Sequence, residues 1–172
     1  MAHASAEIEI DVPRPEVFRA ISDLALRQWL TAHFTSDFHL TRVESSGVGA
    51  GARFRLDLPI RAIWLDTSIV EIREPHRIIE RGRGGRLNRI PTTTVWELSE
   101  APGSLTRVRV SFWTEPSNPV DRMLEALTAT STCCARGWRE TLKKLREQLE
   151  SEAAASPRVI VAGGNAHATG IP

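Results

Sequence analysis

The chain has 172 residues, 41% hydrophobic and 25% charged, with 22 basic against 21 acidic side chains and a formal net charge of +1. That length suits one domain with a core large enough to need no metal or disulfide. The charge balance argues against a nucleic-acid binder, which gathers a basic excess on one face, and Arg77, Arg81, Arg83, Arg86 and Arg89 read as a solvated strand and loop.

Residues 1–5 are expected to be flexible. Over residues 6–12, Ala6, Ile8, Ile10 and Val12 alternate with Glu7, Glu9 and Asp11, the period of a half-buried strand. Pro13 and Pro15 end it, and Pro15 suits a first helical turn. Helical spacing predicts a short helix over residues 15–23 and a second over 24–31, the latter carrying Leu26, Trp29 and Leu30. Strands follow over 39–45 (a weak pattern), 52–58, 62–73, 76–83, 92–99 and 105–115, separated by glycine and proline turns. The inner face of the last strand is expected to be Val108, Val110 and Phe112. Short turns between consecutive strands imply an antiparallel meander.

A single long helix is expected from about residue 119 to 150, capped by Ser117 or Asn118. Its apolar face reads Val120, Leu124, Leu127, Ser131, Cys134, Trp138, Leu142, Leu145 and Leu149, at steps of three and four. Residues 6–152 therefore form the domain, and the small, polar residues 153–172 are expected to be a disordered tail. The fold class is α+β: a curved antiparallel sheet of six or seven strands gripping a long C-terminal helix, with two short helices after the first strand. The helix is the only element able to cover the sheet's inner face.

Cys133 and Cys134 are adjacent, so on a helix they point about 100° apart and make poor disulfide partners. Reduced thiols suit a cytoplasmic protein. No apolar run reaches membrane-spanning length and residues 1–6 lack a signal-peptide core, so no membrane role is expected. His33, His39 and His76 have no partner at ligand spacing, and no metal or cofactor is expected. There is no nucleophile elbow or phosphate-binding lysine loop.

Several segments in this order resemble the START-like, or SRPBCC, superfamily with the helix-grip fold, in its polyketide cyclase/dehydrase branch. They are IEIDVPRPEVF at 8–18, GVGAGARF at 47–54, VEIREPHRII at 70–79, WEL at 96–98, TRVRV at 106–110, and residues 138–149. The resemblance implies a cavity between helix and sheet that holds lipids, hormones, quinones or polyketides, and in some members cyclase chemistry. Its motifs contain no catalytic signature. Members often carry Trp where this chain has Glu80 and His where it has Thr94.

Glu80 shares strand parity with Ile78 and is expected to face the cavity, as a general base, a hydrogen-bond donor to ligand, or the partner of an arginine. Asp66 is a second candidate acid/base group if its strand turns Trp64 and Ser68 inward; Ile63, Leu65 and Ile69 make the other parity equally apolar. Thr94 and Trp96 share one strand face, with Val110 and Phe112 beside them. Leu127, Thr130, Ser131, Cys134 and Trp138 supply the helix side, where small mid-helix residues leave room for ligand. The expected function is binding of a small hydrophobic or aromatic molecule by a monomer or homodimer. The alternatives are a cyclase or dehydratase using Glu80 and Asp66, and an interaction module that takes no small ligand.

Overall fold

Alternation carries β1 (His3–Ile10), which buries Ala4, Ala6 and Ile10 and sends Glu7 and Glu9 across to Arg109 and Arg107. The structure is a computed structural model that describes residues 2–59 and 61–155, apart from the Arg86 side chain. The strand starts earlier than its polar first residues suggest. Residues 3–5, expected to be a flexible N-terminus, are paired with the last strand, His3 opposite Trp113.

Two short helices follow, α1 (Arg14–Ser22) and α2 (Leu24–Thr31). Asp23 divides them, its side chain accepting the Ala25 N–H at 2.9 Å as the cap of α2. The remaining strands are β2 (Thr35–Leu40), β3 (Gly51–Asp57), β4 (Ala62–Arg73), β5 (Arg77–Gly84), β6 (Ile90–Ala101) and β7 (Leu105–Thr114). They form one antiparallel sheet in the order β1-β7-β6-β5-β4-β3-β2. The weak strand expected at 39–45 lies earlier, because Thr35 and Ser36 pair with Leu56 and Arg55. Val108, Val110 and Phe112 face inward as expected.

Two glycines let β5 lie close against β4. A Cβ at Gly82 would collide with the Asp66 carbonyl oxygen, and one at Gly84 would collide with the Leu65 side chain. The fold is thus a curved seven-stranded antiparallel sheet around a long C-terminal helix.

That helix begins later than its apolar spacing suggests. Residues 119–127 form α3 (Pro119–Leu127), and α4 (Thr130–Ala155) starts after a break. The Thr128 hydroxyl donates to the Leu124 carbonyl at 2.8 Å and shares a 2.8 Å bond with the Thr130 hydroxyl, while Ala129 takes φ +47°. Threonine hydroxyls that compete for backbone partners favour such an interruption. In α4 the expected face holds: Cys134, Trp138, Leu142, Leu145 and Leu149 are buried. Gly137 lets the helix approach closely, since a Cβ there would meet the Phe34 ring at 2.6 Å. The helix passes the expected domain end at 152 and reaches Ala155. The rest of the tail expected to be disordered, residues 156–172, lies outside the described residues.

Candidate functional site

Sheet curvature leaves a narrow cavity of about 30 Å³, partly open to solvent, between α2, β2, the inner face of β3 to β7, and α4. Aromatic side chains form its walls. Phe38 and Phe54 stack with ring centres 5.5 Å apart and planes 8° from parallel. Trp138 meets Phe34 edge-on at 5.5 Å and Trp96 edge-on at 5.4 Å. Thr31, Thr35, Thr67, Thr92 and Thr94 add hydroxyls, and Arg27 and Glu80 charged groups, to the lining. A second cavity of about 20 Å³ adjoins it, sharing Leu56, Leu65, Thr92 and Phe112, and extends toward Arg61, Glu125 and Thr130.

One end of the first cavity holds a buried ion pair. Glu80 of β5 is 2% exposed and Arg27 of α2 is 5% exposed, and Arg27 Nη1 donates to Glu80 Oε1. The same oxygen accepts the Trp96 indole N–H at 2.9 Å, and the Thr67 hydroxyl donates to the other oxygen at 3.4 Å. Arg27 also donates through Nη2 to the Ile21 carbonyl at 2.6 Å, and its guanidinium carbon stands 4.9 Å from the Trp96 ring centre. A buried carboxylate is tolerable only with such partners. Arg27 and Trp96 both engage Oε1, while Oε2 has only the long Thr67 contact.

Of the residues expected at the site, Glu80, Thr94, Phe112, Cys134 and Trp138 line the cavity. Trp96 and Val110 are buried directly behind it in the core. Strand β4 is the correction. Leu65 and Ile69 are buried and Thr67 lines the cavity, so Trp64, Asp66 and Ser68 stand on the outer face. There Asp66 pairs with Arg53 at 3.6 Å and accepts from the Asn88 amide, and Trp64 packs under the Arg53 guanidinium. Asp66 therefore forms no acid/base set with Glu80; the sheet lies between them.

The helix side needs correction too. Leu127 is 64% exposed, and the Ser131 hydroxyl donates to the His3 carbonyl. Thr130 lines the second cavity. Burial pushes the Cys134 thiol up to about 12, so it is protonated at neutral pH and packs as a small apolar group. Among the described residues no three His, Cys, Asp or Glu side chains gather in a way that would hold a metal, and no helix is long and apolar enough to cross a membrane.

Sequence reasoning missed Arg27, Phe34, Phe38, Phe54 and the threonines other than Thr94 and Thr130. One signal was available for Arg27. Leu24, Arg27, Leu30 and Thr31 fall at steps of three, three and one, and they are the buried stripe of α2. Trp29, which looked like part of the apolar face, is exposed. Phe54 fell on the apolar parity of its strand, but that it stacks on Phe38 appears only when the strands pair.

A curved sheet closed by a helix around an aromatic cavity defines a START-like, helix-grip protein. The chain belongs to the family described as polyketide cyclase / dehydrase and lipid transport, whose family model spans residues 1–150. Among curated proteins none matches the chain. Similar solved structures share the fold at low identity. The KanY protein in solution is 18% identical with a TM-score of 0.69, covering 87% of this chain and 97% of its own. The protein TTHA0849 from Thermus thermophilus is 19% identical with a TM-score of 0.66, covering 90% and 99%. A START superfamily protein from Mycobacterium smegmatis is 9% identical with a TM-score of 0.62, covering 88% and 99%.

Proposed function

We propose that the protein binds a small hydrophobic or aromatic molecule, of lipid, quinone or polyketide type, in the cavity between sheet and α4. The observation that carries this is the lining: Phe34, Phe38, Phe54, Phe112 and Trp138 surround a narrow cavity whose free surface is mostly apolar, and whose walls must part to admit a ligand. Burying ~400 Å² of apolar ligand is worth about 10 kcal/mol gross. An association cost of ~4 kcal/mol leaves an affinity in the range of tens of micromolar.

Binding is the better reading than catalysis because Glu80 is already committed to Arg27, Trp96 and Thr67, and Asp66 is on the far side of the sheet. A thermal-shift and tryptophan-fluorescence screen tests it, with quinones, aromatic polyketides, flavonoids, fatty acids and sterols at up to about 100 times the expected dissociation constant. A ligand of the native state then raises stability by about 2.7 kcal/mol. Trp96 and Trp138 at the cavity should report it by quenching. Folded protein with no response in any class would overturn the proposal and favour an interaction module.

A further inference from the structure

The cavity threonines fall into two sets. Thr31 donates to the Arg27 carbonyl at 2.8 Å, Thr35 to the Thr31 carbonyl at 3.0 Å, and Thr67 to Glu80 at 3.4 Å. Thr92 and Thr94 are 6% and 7% exposed and line the cavity, yet their hydroxyls have no hydrogen-bond partner among the described residues. Trp138, on the α4 side and 7% exposed, likewise has an indole N–H with no acceptor among them.

The Thr92 and Thr94 hydroxyls are not sealed in the core but open onto the cavity, so they take their partners from whatever fills it. A cavity built for hydrocarbon alone would be better lined with valine, which has the same shape and no polar atom. Two such hydroxyls on one strand therefore point to a ligand that supplies their partners. Thr92 and Thr94 are two residues apart on β6, so they present hydroxyls on the same face about 7 Å apart. Thr92 also borders the second cavity, so the pair runs along the line joining the two spaces. The nearby cation offers no free site, because Arg27 is engaged by Glu80 and the Ile21 carbonyl.

We propose that the cavity selects flat ring systems carrying oxygen at two positions along one edge, and that Thr92 and Thr94 read those oxygens. This rests on the cavity being a ligand site. The oxygens are hydroxyl or carbonyl groups, since a threonine hydroxyl both donates and accepts. The aromatic walls take the ring faces and Trp138 is placed to donate to a further acceptor.

The test measures binding of three matched probes by fluorescence and calorimetry: naphthalene, 2,7-dihydroxynaphthalene and 2,6-dihydroxynaphthalene. The 2,7 isomer has both oxygens on one edge at a separation close to that of the two hydroxyls; the 2,6 isomer has them on opposite edges. The 2,7 isomer is expected to bind about tenfold more tightly than naphthalene, with the 2,6 isomer between them. Thr92→Val and Thr94→Val should each reduce that preference, and the double variant should abolish it. Naphthalene should bind the variants at least as tightly as the native protein, and circular dichroism with a thermal scan should show that the variants keep their fold. If all three probes bind equally, or the valine variants keep the preference, the oxygen-reading role is wrong and the cavity remains an apolar site. If no probe binds the native protein, the ligand-site reading fails and this proposal fails with it.

Discussion

Arg27 and Glu80 are 53 positions apart in the chain and neither is meaningful without the other. Each alone is a charge in a place where charge is costly; together, with Trp96 and Thr67, they are a satisfied unit that ties α2 to the sheet. Removing one member leaves the other unpaired. Arg27→Ala is expected to lower stability by about 3–5 kcal/mol, measured by urea unfolding. Replacing both, with Arg27→Met and Glu80→Gln, should cost clearly less than the sum of the single changes. An additive result would show that the pair is not coupled. The same residues show how far a sequence can be read at this scale. Glu80 was legible as inward-facing because it shares parity with Ile78. Its partner was obscured because the pattern of α2 is carried by its apolar members, and the arginine lies within their buried stripe.

At the scale of elements, α3 is turned over relative to its sequence pattern. Val120, Met123 and Leu127 are exposed while Asp121 and Glu125 are buried. Part of the reason is the bidentate bond from Arg89, whose Nε and Nη2 reach Asp121 at 2.8 and 2.7 Å and join α3 to the segment before β6. Hydrogen bonds from Arg89 hold the Asp121 carboxyl below the usual carboxylate range. A group whose native pKa is depressed contributes stability above its unfolded value, and loses it as pH falls through the native one. Asp121→Asn should therefore lower the melting temperature at pH 7. The gap to the native protein should stay constant down to about pH 4 and close below it. A gap independent of pH would remove the ion pair from the explanation. The break after α3 has its own test. Ala129 sits at φ +47°, where an L-residue is strained and glycine is not. Ala129→Gly is expected to stabilise the protein by about 1 kcal/mol in urea unfolding, against the usual loss from glycine in a continuous helix.

For the whole molecule, the buried core of the described residues lies between Ala4 and Leu149. Around this core the sheet wraps far enough for α2 and β2 to reach α4, with Phe34 seated against Gly137 and the His33 ring nitrogen 3.0 Å from the Gly137 carbonyl. This closure makes a cavity out of a sheet and a helix.

By itself the sequence determined what depends on near neighbours: alternation in β1, β3 and β7, the two short helices divided at Asp23, and the buried stripe of α4 from Cys134 to Leu149. These patterns are periodic within one element, so they can be read without knowing what the element touches. Only the tertiary structure decided which side of β4 faces in, because both parities of that strand are apolar and pairing with β3 and β5 chooses between them. It also decided that α3 turns its carboxylates inward, that Arg27 meets Glu80, and that Phe34, Phe38 and Phe54 form a wall. Each of these depends on a partner distant in the chain, and periodicity carries no record of distant partners.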